Sequence, residues 1–164
     1  MDSLQINVNK IFSSISLFEK NNKKKQIIAI SGPPGAGKSY LSNIILKKYN
    51  ENLIDKKKHA VILPMDGYHL DNKELSEAGL FDKKGSEPSF NSEKFARDLY
   101  IVSQNKDIKI PGFDRKLDKT IANQISITSE TPLVIVEGNY LLIDKSPWSS
   151  CSDYTTLRFL LILE

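Results

Sequence analysis

The chain sets an unbroken apolar run, Gln26 to Ser31 (QIIAIS), directly before GPPGAGKS, Gly32 to Ser39. It then places Tyr40, Leu41, Ile44, Ile45 and Tyr49 at intervals of three and four. The run suits a strand covered on both faces, and the spacing suits a helix that ends near residues 50–52. GPPGAGKS fills every fixed position of the pattern G-x-x-x-x-G-K-[ST]. Phosphate oxygens need many donors in a small volume, and glycines at 32, 35 and 37 remove the side chains that would hold backbone N–H groups away. Gly32, Pro33, Pro34, Gly35, Ala36, Gly37, Lys38, Ser39 and Tyr40 are therefore candidate contacts to a nucleotide's phosphates. Lys38 supplies a cation near the β and γ phosphates, Ser39 a hydroxyl for Mg²⁺, and the helix its positive end.

At 164 residues the chain is long enough for one substantial core and short for a separate substrate module. Its balance of 23 basic against 20 acidic residues gives a net charge of +3, a solvated surface rather than a nucleic-acid footprint. One cysteine, Cys151, allows no internal disulfide, and two histidines leave no zinc cluster. A reducing, cytoplasmic setting fits. No apolar run is long enough to span a bilayer, so no membrane partner is expected.

Leu4, Val8, Ile11, Phe12, Ile15 and Phe18 recur at helical spacing, which predicts a docking helix followed by a basic linker over 1–24, with the nucleotide-binding domain over 25–164. A transit peptide is the alternative, opposed by Asp2, Glu19 and the lack of arginine. Further strands are predicted over His59 to Met65, Ile108 to Pro111, Leu133 to Val136 and Leu157 to Leu163. Asp71 and Glu74 have the spacing of a capping pair for a short helix, and Asn91 or Ser92 caps one carrying Phe95, Leu99 and Val102. Lys83 to Asn91 reads as loop. Strands alternating with helices predict βαβ units around a central parallel sheet, with ligands beyond the carboxyl ends of the strands.

Asp66 and Glu137 then stand just past two strand ends, beside the loop at 32–39. Asp66 is the candidate base for a substrate hydroxyl, against a turn-capping role. Glu137 is the candidate Mg²⁺ acid, against a hydrogen bond to a neighbouring loop. Arg115 lies on a loop able to bend over a substrate, or pairs with Asp114. Tyr68, His69 and Tyr140 are candidate substrate contacts. Lys84 reads as a solvated charge, and Trp148 and Cys151 as packing residues.

GPPGAGKSYLS from Gly32, PMDGYHLDN from Pro64, KKGSEPSFN from Lys83, PGFDR from Pro111 and VEGNYLLID from Val136, with Trp148 after it, occur together in order and spacing. On these stretches the chain resembles the phosphoribulokinase, uridine kinase and bacterial-type pantothenate kinase superfamily, nearest to its branch of sugar- or nucleoside-kinase-like proteins. The resemblance implies an α/β P-loop NTPase fold, a three-layer sandwich with a central parallel sheet flanked by helices. It implies ATP- and Mg²⁺-dependent phosphorylation of a hydroxyl on a small metabolite. Asp66 would be the base, Lys38 and Ser39 the phosphate groups, Glu137 the metal-side acid, and Arg115, Tyr68 and His69 substrate contacts. Such kinases continue past the fourth strand with an arginine-bearing lid, a last strand and a base-binding loop, whereas this sequence stops at Glu164. A fragment, or a site completed by a partner, is the expectation, with self-association through the exposed sheet edge.

Two rivals remain. A GTP-dependent switch needs Asp-x-x-Gly after the third strand and Asn-Lys-x-Asp for guanine. Asp82 to Gly85 lies far from that strand, and Asn105-Lys106-Asp107 lacks the spacer. A non-catalytic nucleotide-binding scaffold is the other.

Overall fold

The computed structural model describes residues 3–21 and 24–162. Four parallel strands build its centre: β1 (Gln26–Ser31), β2 (Val61–Pro64), β5 (Leu133–Gly138) and β6 (Leu157–Leu160), in the spatial order β2-β5-β1-β6. Every residue of β1 and β5 is buried, because helices or loops cover both faces. Alternation along β1 then divides the core in two. Ile28 and Ile30 pack with Val8, Ile11 and Ile15 of α1 (Ser3–Asn21) and Leu41 and Ile45 of α2 (Lys38–Asn50). Ile27 and Ala29 turn to the other face. There they meet Phe95, Leu99 and Val102 of α4 (Ser92–Ser103), together with Trp148 and Cys151. Helix, sheet and helix give the expected three layers.

The N-terminal helix is held to the core by more than apolar contact. Gln26 Nε2 donates to the Ile15 carbonyl at 3.1 Å, and Tyr49 Oη donates to Glu19 at 2.7 Å. Asp71 and Glu74 form the reciprocal cap of α3 (Asn72–Glu77), and Asn91 caps α4 through the Lys94 N–H. The buried Cys151 thiol, at the start of the short α5 (Cys151–Tyr154), is pushed up to about 12 by burial.

The region after α4 departs from the sequence expectation. The strand predicted to stop at Pro111 continues as β3 (Ile108–Asp114) and pairs antiparallel with β4 (Lys119–Ile127) in a separate two-stranded sheet. Polar Asn123 and Gln124 interrupt the apolar alternation of β4, and Asn123 sits at φ 54, so the pattern carries no clean strand signal. The second strand of the core begins at Val61 rather than His59. The last ends at Leu160, short of the expected extension, with Leu161 and Ile162 outside the strand; Leu163 and Glu164, like Asp2 and Lys23, lie outside the described residues. No helix among the described residues is long and apolar enough to cross a membrane.

Candidate active site

Parallel register brings the carboxyl ends of three strands level: Ile30 and Pro64 both align with Glu137, and Ser31 with Gly138. The glycine-rich loop leaves β1 at this edge. Gly35 and Gly37 take φ values of 80° and 82°, a left-handed conformation that L side chains resist, and the second lets the chain turn straight into α2. Among the described residues no side chain caps α2, an arrangement that suits an anion at its first-turn N–H groups.

A cavity of about 370 Å³ opens over this edge, lined by Pro34, Gly35 and the run from Gly37 to Tyr40, by Asp66 and Arg115, and by Glu137, Gly138 and Asn139. Asp66 enters it from a 3₁₀ turn, Met65–Tyr68, that begins as β2 ends. Glu137 enters from β5. Ser39 Oγ donates to Glu137 Oε1 at 3.1 Å, and Arg115 Nη2 lies 3.3 Å from Ser39 Oγ and 3.4 Å from Asp66 Oδ2. Asp66, Arg115, Ser39 and Glu137 thus form one continuous chain of polar contacts. Lys38 is buried, and its Nζ donates to the Pro33 carbonyl at 2.8 Å. Burial pulls the Lys38 ammonium below its ordinary value, while Glu137 and Asp66 raise it and Arg115 lowers it.

Glu137 Oε2 is buried with no hydrogen-bond partner among the described residues. An orphaned carboxylate oxygen beside a serine hydroxyl is a donor set that a hard divalent cation accepts. Among the described residues no three His, Cys, Asp or Glu side chains gather into a metal site. The fit is therefore to a cation such as Mg²⁺, which keeps few protein ligands and takes the rest from phosphate and water.

The remaining candidate residues divide. Tyr68 is in the core: its ring packs edge-on against Phe95 at 5.0 Å, and its hydroxyl donates to Asp98 Oδ2 at 3.0 Å. It lines no cavity at the site, and burial raises its hydroxyl. His69, one residue on, stacks on Phe90 with centroids 3.9 Å apart and lines a second cavity of about 270 Å³. Burial pulls the imidazole below its ordinary value, favouring the neutral form. Tyr140 reaches the other way, its hydroxyl donating to the Gly85 carbonyl at 2.8 Å.

Sequence reasoning did not find the rest of the second cavity. Phe113, Asp118, Lys119 and Thr120 of the hairpin form one wall, and Lys84 crosses to it with Nζ 2.5 Å from Asp118 Oδ2. Lys84 is thus a tie rather than a free charge. Only recognition of β4 as a strand could have brought these residues together. Trp148 and Cys151 are fully packed, as their sequence context suggested.

No protein-family model matches the chain. It is 28% identical over 170 positions to a uridine kinase candidate of Schizosaccharomyces pombe, an alignment that takes in 96% of this chain and 72% of that protein. It is 29% identical over 140 positions to a pantothenate kinase of Listeria monocytogenes, covering 84% of this chain and 45% of that protein. The chain thus spans less than half of that pantothenate kinase. A solved structure from Silicibacter sp. TM1040, described as a candidate fructose transport system kinase, superposes with a TM-score of 0.82 at 30% identity. That superposition covers 100% of this chain and 76% of the other. It carries the whole framework of strand, glycine-rich loop and helix with it, and on that ground the chain belongs to the phosphoribulokinase, uridine kinase and bacterial-type pantothenate kinase superfamily of P-loop kinases.

Proposed function

We propose that the protein is an ATP- and Mg²⁺-dependent kinase that phosphorylates a hydroxyl of a small metabolite such as a nucleoside, a sugar or a pantothenate-like alcohol. The observation that carries this reading is the gathering of Lys38, Ser39, Asp66 and Glu137 around one cavity. Asp66, at the rim nearest the hairpin, would accept the proton of the attacking hydroxyl. Lys38 would leave the Pro33 carbonyl for the phosphate oxygens, and the N–H groups of the loop and of α2 would hold the same oxygens. Ser39 and Glu137 would hold Mg²⁺, which when bound neutralises charge on the transferred group and fixes its geometry. The second cavity, lined by His69 and Phe113, would take the acceptor.

An ADP-release screen over a panel of such alcohols tests the reading. Mg²⁺-dependent turnover is expected for at least one member, falling by about a hundredfold or more in Asp66→Asn. Turnover equal to wild type in that variant would remove Asp66 from the chemistry. Nucleotide binding without turnover on any alcohol would favour the scaffold, and preference for GTP over ATP the switch.

A further inference from the structure

A cation of the chain's own stands where Mg²⁺ would be held. Arg115 Nη2 reaches both Ser39 Oγ, at 3.3 Å, and Asp66 Oδ2, at 3.4 Å, while Ser39 Oγ is 3.1 Å from Glu137 Oε1. A guanidinium has no accessible neutral form, so it cannot relieve a clash of like charges by losing a proton. It also donates to Ser39 Oγ, whose lone pairs are what a hard cation takes. The arginine and a divalent cation therefore compete for one hydroxyl and for the field of the same carboxylates.

We propose that Arg115 is a displaceable plug of the metal seat: it bridges Ser39 and Asp66 at rest, and entry of the metal-nucleotide complex drives it off. The hairpin is built for such a movement. Arg115 opens the turn between β3 and β4, its side chain is 71% exposed, and the two contacts above are its described polar partners. Asp114 braces the turn itself by accepting from the Lys116 and Leu117 N–H groups, so the tip is firm while the guanidinium is lightly held. The strands on either side supply Phe113 and Lys119 to the second cavity, and the end of the turn supplies Asp118. Displacement of Arg115 would hand a cation to the acceptor side and uncover Asp66 in the same event. Metal entry would thus precede base action.

The inference rests on the nucleotide-binding reading above, and calorimetric titration of ADP separates the two. ADP has no γ phosphate, so contacts to the transferred group do not enter. For wild type, Arg115→Gln and Lys116→Gln, the quantity read is the ratio of ADP affinity with Mn²⁺ to that with EDTA. Arg115→Gln is expected to raise this ratio about twofold to fivefold, the scale of an exposed ion pair. Lys116→Gln removes the same charge one residue away, outside the cavity lining, and is expected to leave the ratio at the wild-type value. A ratio unchanged or lowered in Arg115→Gln overturns the plug, as does an equal rise in Lys116→Gln, which would mark a general field effect. Failure of wild type to bind ADP under either condition would instead overturn the nucleotide-binding reading, and the plug with it.

Discussion

Burial of Glu137 in β5 pushes its carboxyl above the ordinary value of 4.5; Ser39 draws it back by a hydrogen bond, Asp66 raises it further, and Arg115 and Lys38 lower it. The folded protein therefore holds that proton more tightly than the unfolded chain does, and stability falls as pH rises through the window above 4.5. Below 4.5 the group is protonated in both states and this loss is absent. Glu137→Gln removes the ionisation, so the variant is expected to unfold at a higher temperature than wild type at pH 7. The difference should narrow steadily toward pH 4, and thermal melts across that range check it. The same variant should lose the metal dependence of nucleotide binding. That cost, at a buried acid lining the cavity, supports the metal-side role proposed for Glu137.

Between elements, the close approach of the Asp66 turn to the hairpin sets the site. A Cβ on Gly67 would lie 2.6 Å from the Pro111 carbonyl oxygen and 2.9 Å from its carbon, both backbone atoms that cannot rotate aside. Gly67→Ala should therefore cost about 1–3 kcal/mol in a denaturant titration. It should also lower turnover beyond that loss, because it pushes β3 and Arg115 away from Asp66. A fully active variant of wild-type stability would contradict this packing. The elements readable from sequence were those with one dominant signal: continuous apolar runs for β1 and β5, 3.6-residue spacing for α2 and α4, and the Asp71–Glu74 pair for α3. The hairpin was not readable, because β4 faces solvent through much of its length and its polar middle breaks the alternation. At the site, strand ends located Asp66 and Glu137. Nothing in the sequence told Tyr68 from His69, adjacent polar aromatics that a single 3₁₀ turn sends one into the core and the other to a cavity.

For the molecule as a whole, two apolar layers are joined at one edge by a cavity lined with opposed charges, and a ligand that spans the loop, β5 and the hairpin should tie those parts together. Linkage predicts about 2.7 kcal/mol of added stability at a nucleotide concentration one hundred times Kd, or a rise of about 5–10 °C in melting temperature for a domain of this size. The rise should be larger with Mg²⁺ than with EDTA. An equal rise under both conditions would argue against metal held by Ser39 and Glu137. The chain's one tryptophan, Trp148, lies fully buried against Phe95 and Tyr140, and its indole N–H donates to Glu87 at 2.9 Å, in the segment that also carries Lys84 to the hairpin. Indole emission is sensitive to the carboxylate it faces. The protein therefore carries its own optical probe of that segment, and a shift in fluorescence on adding an acceptor alcohol would register occupancy of the second cavity without any label.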